Sequence, residues 1–248
     1  MFSFFHKKPP VKKFFPISTD IHSHILPGID DGSPDVETSI QLVKGLINLG
    51  INRSIATPHI IGDMYRNDAD SIYGAQQVLQ SALEKEGIDF ELGTAAEYML
   101  DNYFFEMLDN KTMLLTVHDK LLLTEFSYSA MPSFPEKMSF AIITEGYTPI
   151  LAHPERYGYY HRDHSFFHRL KDLGFLLQVN ILSLTGYYGK EVAAAGRYIL
   201  QNDLASFVAT DLHHQKHLDA LIGFSQQKSS FELFGSKKWN EEIVSNQE

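Results

Sequence analysis

The chain of 248 residues contains no cysteine. Disulfide bonds, zinc sites built from thiolates and every mechanism that uses a cysteine nucleophile are therefore excluded. Long apolar runs are also missing, because none approaches the roughly 20 residues that a membrane-spanning helix needs. The first residues lack the apolar h-region of a signal peptide, so we expect a cytoplasmic protein.

Positive charge is scarce, with 21 Lys and Arg against 31 Asp and Glu, and the formal net charge is −10. Four lysines lie within the first thirteen residues, so the rest of the chain is more acidic still. Such a surface disfavours a nucleic-acid groove, and we expect no nucleic-acid partner. Bound divalent cations would neutralise part of this acidity.

Residues 1–16 join aromatic side chains to lysines and are predicted to be an N-terminal tail. One interpretation is a mobile terminus, which we favour. The alternative is weak peripheral contact with a membrane, at the inner face of the cytoplasmic membrane. Residues 17–248 contain neither a repeat nor a linker, and we interpret them as one domain.

Short apolar segments alternate with helical patterns along this domain. Predicted strands end near residues 24, 56, 97, 126, 152, 179 and 210, and predicted helices cover about residues 36–49, 68–86, 102–108, 135–145, 164–173 and 191–201. Seven strands separated by helices indicate an α/β protein with a parallel sheet. The even spacing favours a closed (β/α) barrel. The first helix is expected to start with Ser33 as its N-cap.

His22 and His24 lie at i and i+2 on a predicted strand, so their side chains point to the same face. Two imidazoles on one face suit a metal such as zinc or manganese. A water-exposed strand edge would carry the same pair without function. Other predicted strands also end in His, Glu or Asp: His59, Glu97, Glu125, His153, Asp211 and His213.

Ligands that follow consecutive parallel strands meet at one rim of a βα barrel. Imidazole and carboxylate ligands without thiolates suit Mn, Fe, Zn or Mg. The ligands outnumber what one ion uses, so the sequence predicts a centre of two or three divalent ions. Such centres suit phosphoester hydrolysis.

Seven segments carry a family resemblance, in this order: DIHSHILPGIDDG at 20–32, ATPH at 56–59, AAEY at 95–98, TEFS at 124–127, LAHPERY at 151–157, QVN at 178–180 and ATDLH at 209–213. In these the chain resembles the PHP (polymerase and histidinol phosphatase) superfamily, and more narrowly the bacterial capsule-type protein-tyrosine phosphatases. The resemblance implies a distorted seven-stranded barrel with a trinuclear metal centre at its C-terminal rim, with manganese as the first candidate.

The resemblance implies three ligand groups: His22, His24, Glu97 and Asp211 for one ion, Glu97, Glu125 and His153 for a second, and Asp31, His59 and His213 for a third. Acids at Asp31 and Glu125 resemble the tyrosine-phosphatase branch, because histidinol phosphatases tend to have histidines there. Arg156 corresponds to an arginine that contacts the phosphate. The alternative for Arg156 is an ion pair with Glu155 or another surface acid.

The family's second phosphate-side arginine has no counterpart here, and Lys216 or His214 is a candidate for its role. Asp20 and Asp30 either orient metal ligands or cap turns. Five tyrosines either line a slot for a phenyl ring or are ordinary rim residues: Tyr157, Tyr159, Tyr160, Tyr187 and Tyr188. The implied function is dephosphorylation of a bacterial tyrosine kinase of capsular or exopolysaccharide biosynthesis. The alternatives are a small-molecule phosphatase, such as one for histidinol phosphate, and a non-catalytic metal-binding module.

Overall fold

The computed structural model describes residues 15–227 and 232–243. It contains eight α-helices within these ranges: α1 (Val36–Leu49), α2 (Ala69–Lys85), α3 (Asn102–Asp109), α4 (Pro135–Thr144), α5 (Ser165–Asp172), α6 (Ile181–Leu184), α7 (Lys190–Gln201) and α8 (Gln215–Ser225). Six of them correspond to the predicted helices, while α6 and α8 were not predicted. No helix in the described ranges is long and apolar enough to cross a membrane.

The start of α1 differs from the prediction. The N-cap is Asp35, whose side chain accepts a hydrogen bond from the backbone N–H of Thr38, and not Ser33. Ser33 instead donates its hydroxyl to the Asp35 carbonyl. Both residue types are favourable caps, and Asp35 takes this position because its backbone is extended and its carboxylate reaches the N–H of Thr38. The helix ends as predicted at Gly50, which adopts a left-handed conformation with φ 92°.

Ten strands form two sheets among the described residues: β1 (Thr19–Asp20), β2 (Arg53–Ala56), β3 (His59–Ile61), β4 (Tyr65–Arg66), β5 (Glu91–Thr94), β6 (Glu97–Met99), β7 (Leu121–Glu125), β8 (Thr148–Ala152), β9 (Leu176–Asn180) and β10 (Ala205–Ala209). One sheet has the order β1-β2-β5, and the other has the order β10-β9-β8-β7-β6-β3-β4. Among the strand pairs in the described part of the chain, β3 and β4 are antiparallel and all others are parallel.

The parallel α/β fold is confirmed, whereas the closed barrel stays a prediction. Two predicted strands are broken, because β2 leads into β3 across Thr57 and Pro58, and β5 leads into β6 across Ala95 and Ala96. Proline has no N–H for a sheet hydrogen bond, so β2 cannot continue regularly through Pro58. The segment after β1 forms a single parallel bridge, Ser23 with Leu212, beside the end of β10.

Helices cover the sheets and enclose an apolar core. The parallel strands are buried almost throughout, as expected for strands packed on both faces. Phe15, at the beginning of the described range, packs partly buried against this core. The predicted tail therefore lies mostly outside the described residues. The carboxyl ends of β7 to β10 point to one rim, which becomes the site described next.

Candidate metal centre

All nine predicted metal ligands lie in one cluster at this rim; Glu125 is the last residue of β7, whereas His59 and Glu97 are the first residues of β3 and β6. Their donor atoms form four overlapping groups, within each of which all atoms lie within 4.8 Å of one another: His24, Asp31, His59 and His213; His22, His24 and Asp211; His22, Glu97 and His153; and His59, Glu97 and Glu125. The structure therefore brings together residues that are up to 191 positions apart in the chain. Each group has the nitrogen and oxygen donors that divalent transition metals bind.

Glu97 lies at the centre of the cluster and is fully buried. Its Oε2 is 3.2 Å from His22 Nε2, 3.3 Å from His24 Nε2 and 3.1 Å from His59 Nδ1, while its Oε1 is 3.0 Å from His153 Nε2. Oε2 makes no hydrogen bond of suitable geometry with any described residue. A buried carboxylate oxygen without a donor is costly, and a cation held between it and the imidazoles would remove that cost. The residues therefore fit a metal centre.

The outer edge of the cluster is open to solvent. Asp31 Oδ1 lies 3.5 Å from His59 Nε2 and 3.5 Å from His213 Nε2, and the Asp31 side chain is 53% exposed. The His24 ring stacks on the His213 ring at 3.9 Å between centroids. The ligand groups are therefore less strictly divided than the resemblance implies, since His24 faces the third group as well as the first.

His59 likewise faces two groups, because its Nδ1 lies 3.2 Å from Glu125 Oε1 while its Nε2 faces Asp31. Glu125 Oε2 is 4.0 Å from His153 Nε2, the longest of the ion-pair distances in the cluster. The second group implied by the resemblance, which joins Glu125 to His153, is thus more open than the pair formed by Glu125 and His59.

The electrostatics of the cluster favour positive charge at its centre. Burial lowers the pKa of His22, but the Glu97 and Asp211 carboxylates outweigh this effect and raise the pKa to about 9. Burial likewise opposes ionisation of Glu97, yet the His22 and His59 imidazoles hold its pKa well below the usual range. The carboxylates are therefore ionised in a buried site, and they attract cations.

Two ligands have an uncommon backbone conformation. His153 directly follows β8 and Asp211 comes two residues after the end of β10, and both adopt positive φ angles, 36° and 52°. Such angles are strained for residues other than glycine, and they are held by the surrounding structure at functional sites. For Asp211 the support is a hydrogen bond of 2.9 Å from its N–H to the carbonyl oxygen of His22.

The two aspartates of open role are resolved differently. Asp30 accepts a hydrogen bond of 2.7 Å from His24 Nδ1, which leaves His24 Nε2 directed at the cluster. Asp30 thus orients the predicted ligand His24, and because it also accepts a hydrogen bond of 2.9 Å from the N–H of Gly32, it caps a turn as well. Asp20 accepts hydrogen bonds from the N–H and the hydroxyl of Thr210, and so ties β1 to the segment before Asp211. Burial raises the pKa of Asp20 to about 6, although its contacts with Thr210 oppose the shift.

Arg156 lies beside the cluster. Its Nη1 donates a hydrogen bond of 2.7 Å to Asp211 Oδ2, and its guanidinium lies 4.2 Å from the centroid of the Tyr188 ring and 5.0 Å from that of Tyr128. The side chain keeps 22% of its surface exposed. The ion-pair partner is thus a residue of the metal cluster rather than Glu155 or a surface acid.

The structure places the predicted tyrosines in different surroundings. Tyr157 is buried, donates its hydroxyl to the Ala152 carbonyl and accepts a hydrogen bond from the N–H of Phe126, so it is a core residue. Tyr160 is also buried, and the Tyr159 hydroxyl donates to the Ser127 carbonyl. Tyr188 is the predicted residue that faces Arg156.

The two candidates for a second phosphate-side group are placed differently. His214 is the N-cap of α8, where its ring accepts a hydrogen bond from the N–H of His217. Lys216 lies on the first turn of α8 and is exposed. The use of the His214 ring as a helix cap makes it a poor candidate for the missing arginine.

Sequence reasoning missed three residues of the site. Gln178 and Asn180 belong to a motif that carried the resemblance, yet no role was predicted for them. They alternate on β9 as His22 and His24 do after β1, and this alternation was a signal that could have found them. Tyr128 directly follows the motif at 124–127, and its hydroxyl is 3.1 Å from His153 Nδ1.

A parallel α/β fold with nine histidine and carboxylate side chains clustered at one rim, where they could hold metal ions, is the arrangement of a metal-dependent hydrolase. Residues 18–228 match the family described as capsular polysaccharide synthesis, CpsB/CapC, and the chain belongs to this family. The predicted resemblance is therefore confirmed.

Named relatives agree with this assignment. Tyrosine-protein phosphatase YwqE of Bacillus subtilis (strain 168) is 32% identical over 197 residues, which cover 79% of this chain and 78% of the relative. Tyrosine-protein phosphatase CpsB of Streptococcus pneumoniae is 29% identical over 238 residues, which cover 92% and 95%. A putative tyrosine-protein phosphatase, CapC of Staphylococcus aureus, is 28% identical over 194 residues, which cover 78% and 76%.

Solved structures show the same relation. One of them comes from work on YwqE from Bacillus subtilis and CpsB from Streptococcus pneumoniae, which are described as unique metal-dependent tyrosine phosphatases. It aligns with a TM-score of 0.74 at 29% identity, covering 87% of this chain and 90% of the other. The lactonase Lmo2620 from Listeria monocytogenes aligns with a TM-score of 0.53 at 12% identity, covering 92% of each chain, and shares the fold alone.

Proposed function

We propose that this protein is a metal-dependent protein-tyrosine phosphatase of capsular or exopolysaccharide biosynthesis. The observation that carries the proposal is the cluster of nine candidate ligands with a partly exposed arginine bonded to one of them, Asp211. Phosphomonoester hydrolysis needs a charged clamp for the phosphate and an activated water, and a multinuclear centre suits both needs. The names of the relatives support tyrosine phosphate as the substrate.

The centre is proposed to hold two or three divalent ions, with manganese first and iron, zinc or magnesium as alternatives. The bound ions would supply Lewis-acid charge for the phosphate oxygens and lower the pKa of water. Glu97 would contribute to more than one ion, because each of its two oxygens faces different imidazoles. Asp30 and its hydrogen bond to His24 would hold one ligand in position.

Arg156 is proposed to bind the phosphate and to stabilise the charge that develops on it. Arg156 has five N–H donors and gives one of them to Asp211, so its planar guanidinium retains donors for two phosphate oxygens. The faces of Tyr128 and Tyr188 hold the guanidinium in place, since cation–π contacts favour this position. The same rings would offer apolar surface to a phenyl group at the rim.

The proposed substrate is a phosphotyrosine-containing bacterial tyrosine kinase, and the proposed compartment is the cytoplasm, near the inner face of the cytoplasmic membrane. We also propose that residues 17–248 are one domain and that the two sheets form a distorted seven-stranded barrel. The bridge between Ser23 and Leu212 supports closure, because it joins the segment after β1 to the segment after β10.

The deciding experiment compares kcat/KM for a phosphotyrosine peptide, the matching phosphoserine peptide, histidinol phosphate and a simple aryl phosphate, with manganese-loaded protein. We expect the phosphotyrosine peptide to be the best substrate. A higher value on histidinol phosphate would assign the protein to small-molecule phosphatases. Loaded protein that turns over none of the four would indicate a non-catalytic metal-binding module.

A further inference from the structure

We propose that Gln178 and Asn180 are positioning residues in a hydrogen-bond relay, in which the donor and the acceptor of every bond are fixed. The relay runs from Asp211 through Asn180 and Gln178 to His22. It determines which nitrogen of His22 and which oxygen of Asp211 remain available to a metal ion. The inference rests on the proposed metal centre and adds two residues to its design.

The first link is at Asp211. Its Oδ2 lies 2.6 Å from Asn180 Nδ2 and 2.7 Å from Arg156 Nη1. The guanidinium of Arg156 has only donors, so Asp211 Oδ2 accepts its hydrogen bond, and the carboxylate of this ion pair can only accept. Asn180 must therefore present its NH₂ group, and not its oxygen, to Asp211.

The second link follows from the first. With its NH₂ group turned to Asp211, Asn180 presents its oxygen to Gln178, whose Nε2 lies 2.8 Å away. Gln178 must donate here, since two amide oxygens facing each other would both be left without a donor. The oxygen of Gln178 is then directed at His22 Nδ1, at 2.8 Å.

The third link determines the proton position on His22. Because the Gln178 oxygen can only accept, His22 Nδ1 must carry the proton. In the neutral imidazole Nε2 then keeps its lone pair. This nitrogen lies 3.2 Å from Glu97 Oε2 and 3.4 Å from Asp211 Oδ1, within the cluster. The relay thus prepares His22 Nε2 and Asp211 Oδ1 for one ion, because Oδ2 of Asp211 is already occupied by Asn180 and Arg156.

Because the relay is buried, its hydrogen bonds can run in one direction. His22, Gln178 and Asn180 are fully buried and Asp211 is 1% exposed, so bulk solvent does not reach the hydrogen bonds of the relay. The end of β9 is held as well, because the backbone N–H of Asn180 donates to Glu155 Oε1 at 2.8 Å. Polar networks in such surroundings determine a single arrangement when every member is paired.

The test measures metal binding rather than activity. Zinc and manganese are titrated calorimetrically into metal-free protein carrying Asn180→Asp, which replaces the donor to Asp211 by a carboxylate, or Gln178→Met, which removes both links. We expect affinity to fall by about 10- to 100-fold in each variant. Asn202→Asp and Gln76→Met are matched controls, since Asn202 and Gln76 bond to backbone carbonyls outside the cluster, and we expect these variants to bind like the wild type.

Folding is checked by circular dichroism, and a second measurement does not depend on the variants. In zinc-loaded wild type with ¹⁵N-labelled histidine, NMR should assign His22 as protonated at Nδ1 and coordinated through Nε2. Coordination through Nδ1 would overturn the relay, as would wild-type affinity in folded Asn180→Asp and Gln178→Met. A wild type that binds no ion would refute the metal centre together with the relay, whereas unaffected variants of a metal-binding wild type refute the relay alone.

Discussion

Replacement of Arg156 by lysine tests the proposed phosphate contact most directly. The guanidinium donates to Asp211 Oδ2 at 2.7 Å and lies against the faces of Tyr128 and Tyr188. Lysine keeps the positive charge and can still pair with Asp211. It has a single nitrogen, which cannot contact Asp211 and two phosphate oxygens with the planar geometry of arginine. Arg156→Lys should therefore fold and bind metal like the wild type.

The expected loss is catalytic. A charge-assisted contact to oxygens that gain charge in the transition state contributes about 3 kcal/mol. At about 1.4 kcal/mol for each factor of ten, its removal lowers kcat/KM roughly a hundredfold. A surface ion pair contributes at most about 1 kcal/mol to stability and nothing to the reaction. The two interpretations of Arg156 thus differ by about two orders of magnitude in rate.

The assay is steady-state hydrolysis of an aryl phosphate by manganese-loaded protein, with metal content measured in parallel. Arg169→Lys is the matched control, because Arg169 forms an exposed ion pair with Glu136 at 3.5 Å on the outside of the fold. We expect the control to remain within twofold of the wild type. Turnover of Arg156→Lys close to that of the control, at equal metal content, would remove Arg156 from the catalytic residues.

Three further results are expected. Elemental analysis of manganese-reconstituted protein should find more than one ion per chain, and at most one ion per chain would contradict a multinuclear centre. Glu97→Ala should lose more metal than His22→Ala, because both oxygens of Glu97 face imidazoles. Chelation should abolish phosphatase activity while thiol alkylation leaves it unchanged, since the chain has no cysteine, and activity that persists without metal would refute the mechanism. Gly32→Ala should lower both metal content and thermal stability, because a Cβ at Gly32 would overlap the carbonyl oxygen and Cβ of His24. The control is Gly74→Ala in the exposed middle of α2, where the new Cβ meets no atom within 4 Å and should stabilise the protein by up to about 1 kcal/mol. Equal behaviour of the two variants would argue against tight packing behind His24.

Much of the site was predictable because its signals are local. His22 and His24 share a face through the two-residue repeat of a strand, and this repeat is visible in any sequence. Single ligands such as His153 and Asp211 gained meaning from their positions directly after apolar segments, since parallel strands end at one rim. Helix bounds followed from the spacing of apolar residues and from caps such as Gly50.

The cap of α1 shows how far local signals reach. Ser33, Pro34 and Asp35 predicted a helix start at the correct place, but the choice between Ser33 and Asp35 depended on backbone angles at the turn. Asp35 has extended angles and its carboxylate reaches the N–H of Thr38, while Ser33 bonds to Asp35 itself. Two residues of similar capping propensity cannot be separated by propensity alone.

The sequence by itself determined the ligand types, their order and the parallel α/β class, because these depend on residue chemistry and short-range periodicity. Tertiary structure alone decided the division into two sheets, the pairing of Arg156 with Asp211 and the relay through Gln178 and Asn180. Three of the hydrogen bonds involved, His22 with Gln178, Arg156 with Asp211 and Asn180 with Asp211, join residues 31 to 156 positions apart, and they depend on how β8, β9 and β10 align. A side chain's type limits which bonds it can form, but packing selects the partner, since buried polar groups must pair with whatever donor or acceptor the fold brings within reach.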